Sequence, residues 1–108
     1  MEVLVDPERS EGSRRIMPGY TYIMTNQRHT VLYTGSTNEI LRRISQHRRR
    51  KRGSFTKRYN VDKVVYLKEY ATLQEAREAE KRIKGWTRKK KIDLINSVNP
   101  EWKDLIDE

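Results

Sequence analysis

From Gly19 onward the apolar and aromatic residues of this chain fall first into a period of two and later into helical spacing, and the switches between them mark its elements. GYTYIMT, from Gly19 to Thr25, alternates and is rich in aromatic and β-branched residues, so it predicts a strand. Asn26 to Thr30 is polar and turn-like, and VLYTG then supplies a second short strand, which makes an antiparallel hairpin the natural solution. Ser36, Thr37 and Asn38 all suit an N-cap, and Ser36 with Glu39 has the spacing of a capping box. The following helix spans roughly Glu39 to Arg49. Ile40, Leu41 and Ile44 mark its buried face, with Arg43 and His47 four apart on a neighbouring one. KRGSFTKRYN is a loop in which Gly53 and Ser54 break the helix and Phe55 and Tyr59 act as tethers. Val61 to Tyr70 reads as a third strand.

Thr72 with Glu75 forms a second capping-box signal, and Leu73, Ala76, Ala79 or Glu80, and Ile83 follow helical spacing to an end near Gly85. Trp86 packs at that junction. A third helix from about Thr87 to Ser97 turns Ile92 and Ile95 inward, with Leu94 nearby, and Asn99 and Pro100 end it. Trp102 and Leu105 then either fold the tail back onto the body or pack against a second subunit, so a monomer and a weak homodimer are both compatible with the sequence. The order is ββαβαα, an α/β arrangement of the α+β type: a small three-stranded antiparallel sheet that needs helices to cover it. Residues 1–17 lack a sustained period and are expected to be a flexible extension to a single domain at 18–105.

Composition narrows the function. Hydrophobic residues make up 34% and charged residues 36% of the 108, so the core is small and the surface heavily solvated. The absence of cysteine excludes disulfides, thiolate nucleophiles and cysteine-ligated zinc. With no apolar run of membrane-spanning length, a soluble cytoplasmic domain is the expectation. The 24 Lys plus Arg exceed the 15 Asp plus Glu by a formal charge of +9. Residues 1–16 are slightly acidic, so the rest is more basic still. Between Arg42 and Arg58 stand nine Lys or Arg and no acid, and Arg88 to Lys91 adds four more. Such runs suit a solubilising face, an anionic membrane surface or a nucleic acid, and counterion release favours the last. The short helices do not make a membrane anchor.

Nucleotide fingerprints, a P-loop and an HExxH pair are absent. His29 and His47 are the only histidines, so any divalent metal must be held mainly by carboxylate oxygen, which favours Mg²⁺ or Mn²⁺ over zinc. Tyr22 and Tyr33 fall on adjacent strands, and their hydroxyls approach one another if both face the sheet surface that the first helix leaves open; otherwise they are ordinary strand tyrosines. Gly35 permits close approach of a backbone or a ligand. Arg43 is either one more member of the basic patch or a clamp for a phosphate, and His47, one turn on, could donate to a phosphate or move a proton. Glu80 is drawn toward the packed side of the second helix, where a carboxylate wants a cation.

GYTYIMTNQRHTVLYTGSTNEILRRISQH, RGSFTKRYNVDKVVYLKEY and EAREAEKRIKGWTRKKKIDLINSVNPEWKDL together resemble the GIY-YIG nuclease domain, and more closely its small stand-alone bacterial members. The ordered series Tyr22, Tyr33, Gly35, Arg43, His47, Glu80 and the IKGW segment carries the resemblance, although Tyr20-Thr21-Tyr22 lacks the first motif's glycine and Thr34 replaces an apolar residue in the second. The resemblance implies an endonuclease that hydrolyses phosphodiester bonds with one Mg²⁺ or Mn²⁺ held by Glu80. In it Tyr33 deprotonates or positions water, Tyr22 tunes Tyr33, Arg43 stabilises the charged transition state and His47 contacts phosphate or assists proton transfer. Gly35 keeps the backbone clear of substrate, Ser36 follows it, and the family's late asparagine falls on Asn96 or Asn99. Arg42, Arg48, Arg49, Lys51, Arg52 and Lys57 complete the expected substrate surface, with Asn99. DNA is favoured over RNA, with little intrinsic sequence specificity and a role in processes such as DNA repair. Two other readings stand beside it: a non-catalytic nucleic-acid-binding module using the Arg42–Arg58 patch, and a scaffold whose positive face meets an acidic protein.

Overall fold

A computed structural model describes residues 17–49 and 60–106. The N-terminal extension and nearly all of the basic loop, including Lys51, Arg52, Phe55, Lys57 and Tyr59, lie outside the described residues. The central strand β1 (Gly19–Thr25) pairs antiparallel with β2 (Leu32–Thr37) on one side and β3 (Lys63–Tyr70) on the other, giving the order β2-β1-β3. Three helices complete the chain: α1 (Ile40–Arg49), α2 (Leu73–Lys84) and α3 (Arg88–Val98). This is the three-stranded, helix-flanked sheet that the alternating and helical periods predict. None of the helices among the described residues is long and apolar enough to cross a membrane.

All seven residues of β1 are buried, because helices cover both faces of the sheet. Tyr20, Tyr22 and Met24 point to one face, where Ile40 and Ile44 of α1 pack with Val61, Val64 and Ile106. Ile23, Val65 and Tyr66 point to the other, against Ile83 of α2, Ile95 of α3 and Trp102. A bulge between Ile23 and Met24 sets Ile23 opposite Tyr66 and Met24 opposite Val64, which turns Val65 and Tyr66 to the same face. Gly19 allows α2 to start close to the sheet, since a Cβ there would meet Leu73 Cα at 2.5 Å and the Thr72 carbonyl at 2.6 Å. Thr21 Oγ1 donates to the Ala76 carbonyl at 2.7 Å and locks the same contact farther along.

The second capping box is complete: Thr72 Oγ1 accepts from Glu75 N at 3.2 Å, and Glu75 Oε1 accepts from Thr72 N at 3.3 Å. The first is not formed. Ser36 belongs to β2, which runs two residues past the expected VLYTG, and Thr37 Oγ1 takes the Glu39 N–H at 3.0 Å. A serine at a strand end satisfies the same spacing rule as one that caps a helix. Leu41 is also corrected: it is 64% exposed, whereas Ile40, Ile44 and His47, spaced four and then three apart, form the buried face. The tail folds back on its own molecule. Trp102 is buried, Leu105 N donates to the Val64 carbonyl at 2.7 Å, and Asp104 Oδ1 accepts from Val64 N at 3.1 Å.

Candidate functional site

The pairing register decides which side chains can meet. Tyr22 lies opposite Gly35, and Tyr33 lies opposite Met24, so the two tyrosines are diagonal neighbours on one face. That face is the one α1 covers, not the open one expected from the sequence. Their rings stand 6.4 Å apart. Arg43 and His47 descend onto them from successive turns of α1. The His47 ring sits edge-on to both phenol rings, at 6.0 Å from Tyr22 and 5.1 Å from Tyr33. Gly35 leaves the space that the Tyr22 ring fills: a Cβ there would lie 2.5 Å from the hydroxyl oxygen and 2.6 Å from Cζ. The glycine clears room for the Tyr22 ring.

Tyr22 Oη and His47 Nε2 are 3.1 Å apart and buried. Burial pushes the Tyr22 phenol up to about 12, the nearby Tyr33 and Glu80 adding to the rise, and the Arg43 hydrogen bond only partly offsets it. Hydrogen bonding to Tyr22, with both phenols beside it, holds the Arg43 guanidinium above its ordinary value. Arg43, which can only donate, hydrogen-bonds both tyrosine oxygens, and Tyr22 shares a further hydrogen bond with His47. Tyr22 is a fixed neutral phenol that orients its neighbours. Tyr33, half-buried beside it, is the phenol better placed to meet a ligand. On its other side Arg43 lines an open cleft of about 240 Å³ with Thr37, Asn38, Glu39, Arg42 and Gln46.

Glu80 approaches from the opposite face of the sheet. Ser36, whose β1 partner Thr21 faces α2, donates its hydroxyl to Glu80 Oε1, and Lys84 Nζ pairs with Oε2 at 2.5 Å. The cation that a half-buried carboxylate needs is thus Lys84, one turn along, a partner the i,i+4 spacing could have revealed. Ser36 serves Glu80 rather than a phosphate. No group of three or more His, Cys, Asp or Glu converges among the described residues. The donor set does not fit a preformed metal cage. A single carboxylate does fit Mg²⁺, which keeps several waters and binds through one or two carboxylates together with substrate phosphates.

Two expected substrate contacts are structural instead. Arg48 Nε donates to the Asp62 carbonyl at 2.9 Å, while Nη2 reaches both Asp104 oxygens, at 3.1 and 2.8 Å, and the Ile106 carbonyl at 2.8 Å. It staples the end of α1 to the tail. Asn99 donates to the Val65 and Lys103 carbonyls at 3.0 and 2.8 Å and accepts from Lys103 N at 3.1 Å. Asn96 accepts from Trp102 Nε1 at 2.6 Å, so both late asparagines serve the fold. Arg42 is exposed at the cleft with Glu39 3.1 Å away, and Arg49 is exposed at the end of α1.

The family model described as the GIY-YIG catalytic domain matches residues 18–93. The chain belongs to the GIY-YIG family. Within this family it is similar to a UPF0213 protein of Oceanobacillus iheyensis, 36% identical over 82 residues, covering 76% of this chain and 94% of that one. It is 38% identical over 70 residues to a UPF0213 protein of Bacillus pumilus, covering 65% and 71% of the two chains. The solution NMR structure of the UPF0213 protein BH0048 from Bacillus halodurans superposes with a TM-score of 0.53 at 26% identity, covering 82% of this chain and 93% of that one. The match spans the GIY-YIG elements from β1 into α3, so the Tyr22, Tyr33, Arg43, His47 and Glu80 positions all fall inside it.

Proposed function

We propose that this GIY-YIG protein is a nucleic-acid-binding module that seats a backbone phosphate at Arg43. One observation carries the reading: the Arg43 guanidinium is held by the Tyr22 and Tyr33 hydroxyls while it lines an open polar cleft beside Arg42. Among the described residues no carboxylate forms a salt bridge with it, and two phenols do not exhaust its five donors, so it presents a positioned cation to an anionic oxygen. Arg49, exposed at the end of α1, extends the positive field, while Arg42 in the same cleft pairs with Glu39.

Hydrolysis of the bound phosphodiester is a second reading, favoured by the Glu80 carboxylate lying against Ser36 of β2, the strand that carries Tyr33. Glu80, released from Ser36 and Lys84, would hold one Mg²⁺ or Mn²⁺, which when bound supplies Lewis-acid stabilisation of the phosphate and leaving oxygens. Tyr33 would orient the attacking water through its phenol oxygen. Tyr22, kept protonated, holds His47 and Arg43 in place, and Arg43 stabilises the charge that builds on the phosphate.

Fluorescence anisotropy with labelled duplex DNA tests binding, and nicking of supercoiled plasmid with Mg²⁺ or Mn²⁺ tests hydrolysis. Salt-sensitive binding weakened by Arg43→Gln, with no metal-dependent nicking, is the expected result. Nicking abolished by both Glu80→Ala and Tyr33→Phe selects the second reading. A wild-type protein without salt-sensitive binding overturns both.

A further inference from the structure

The run Arg88 to Lys91 takes no part in the Arg43 site, yet its surroundings are organised. His29 sits at the tip of the β1–β2 turn with φ 59°. Its carbonyl accepts from Arg88 Nη2 at 2.9 Å, its Nε2 lies 3.2 Å from Lys63 Nζ, and its ring stacks on Trp102 at 4.7 Å. The turn itself is braced by Asn26, whose Oδ1 accepts from Thr30 N at 2.8 Å and Val31 N at 3.2 Å. Two residues past Arg88, Lys90 Nζ lies 4.5 Å from the centre of the Trp86 ring.

The partners of these cations set them apart. Arg42, Arg48, Lys84, Lys89 and Lys103 are each neutralised by a carboxylate. Lys63, Arg88 and Lys90 are held instead by an imidazole nitrogen, a carbonyl and an indole face, so they are positioned without losing net charge. Arg28, exposed in the turn, and Lys91 lie beside them. The acids at the margins are Asp93, engaged by Lys89, and Asp62, exposed next to Lys63. The first turn of α3 holds no acid at all, so its cations stand at the positive end of the helix, where they are disfavoured. Such a placement is unfavourable until an anion arrives.

We propose that the hairpin turn, the start of β3 and the first turn of α3 form a second contact surface for a nucleic-acid backbone, built on Arg28, Lys63, Arg88, Lys90 and Lys91. This rests on the nucleic-acid reading given above and adds a second point of contact to it. A membrane fits poorly, because among the described residues the large exposed hydrophobics are Met17, Leu41 and Val98, none of which belongs to this surface. The Arg43 cleft adjoins Thr37, which pairs with Tyr20 at the far end of the hairpin. Six strand residues separate that end from the turn, about 20 Å at the rise of a β-strand. A duplex must therefore run for about six base steps, at 3.4 Å each, to reach both.

Anisotropy with a fluorescein-labelled duplex DNA, titrated across salt concentrations, tests the surface. Lys90→Gln/Lys91→Gln should lower the slope of log K against log salt by about 1 to 2, since each phosphate contact contributes about 0.9. Thermal unfolding should be unchanged or improved, because cations leave the positive end of α3. Arg28→Gln, outside any helix, should independently lower the slope by about 0.9. Unchanged slopes in both variants, with Arg43→Gln still weakening binding, overturn this surface and leave the Arg43 site standing. Variants that keep the DNA slope but lose binding to phosphatidylserine vesicles assign the surface to a membrane and also overturn it. A wild-type protein with no salt-dependent DNA binding overturns the surface together with the reading beneath it.

Discussion

Replacing Gly35 by alanine should be costly for a reason that lies on the neighbouring strand. The added Cβ would stand 2.5 Å from the Tyr22 hydroxyl oxygen and 2.6 Å from Cζ, both far inside van der Waals contact. Tyr22 is 1% exposed and its hydroxyl is bonded to His47, so the ring has nowhere to move. Overpacking of this kind costs about 1–3 kcal/mol. Displacing the phenol from His47 adds about 0.5–1.5 kcal/mol. Alanine in a strand recovers roughly 0.5–1 kcal/mol of the conformational entropy that glycine loses. The net expectation is a loss of about 2 kcal/mol, or a fall in Tm of about 8–16 °C for a domain of this size. Urea unfolding followed by Trp86 and Trp102 fluorescence gives the stability directly. The mechanism is tested by a double-mutant cycle with Tyr22→Leu, which removes the obstructing end of the ring. In that background Gly35→Ala should be neutral or slightly stabilising. Equal destabilisation in both backgrounds would refute the steric argument and place the requirement in the backbone of β2 instead.

High pH should expose the buried phenol. The Tyr22 pKa rises from 10.0 to about 12 on folding, so its stabilising contribution is complete below pH 10 and lost as the pH climbs through about 12. At about 1.4 kcal/mol per unit this amounts to roughly 3 kcal/mol, and denaturant unfolding of Tyr22→Phe across the alkaline range should show a shallower decline. Arg48→Ala should cost about 2–3 kcal/mol by stranding Asp104 and two carbonyls, and hydrogen exchange should report faster loss of the Leu105 amide proton. Asn99→Ala should destabilise by a similar amount, about 1–3 kcal/mol, while DNA affinity at matched folded fraction stays unchanged; a selective loss of affinity would return Asn99 to the ligand surface. Thr72→Ala should remove the α2 cap at about 1 kcal/mol, read from thermal unfolding.

The hairpin, the third strand and both later helices were legible because their signals are local: alternation in GYTYIMT, the density of Val, Tyr and Leu in KVVYLKEY, and a Thr72–Glu75 box followed by apolar residues at helical spacing. The site residues could be named from their types and order, but not the face on which they meet. Tyr22 turns under α1 because its register sets it against Gly35, and register depends on both strands at once. Ser36 misled because a strand end and an N-cap ask for the same small hydroxyl residue. Arg48 and Asn99 misled for a different reason. Their partners lie 56 and 34 residues away in the chain, and a cation or an amide that holds a fold together has the same local sequence as one that grips a phosphate. Lys84 was within reach, since it stands one turn from Glu80.

The tail that returns along β3 has a consequence for solubility as well as for packing. β3 is an outer strand, and its Val64 N–H and carbonyl face away from β1, toward Asp104 and the Leu105 amide. Without those two residues the hydrophobic run Val64-Val65-Tyr66 would present an open ladder to any other chain. Strand edges of this composition recruit further strands, and the growing sheet need not stop at two copies. A chain shortened at Asn99 should therefore fail first by forming insoluble β-rich aggregates rather than by a simple loss of melting temperature. Asp104 and Leu105 behave less like an ornament on the fold than like the hem of its β3 edge.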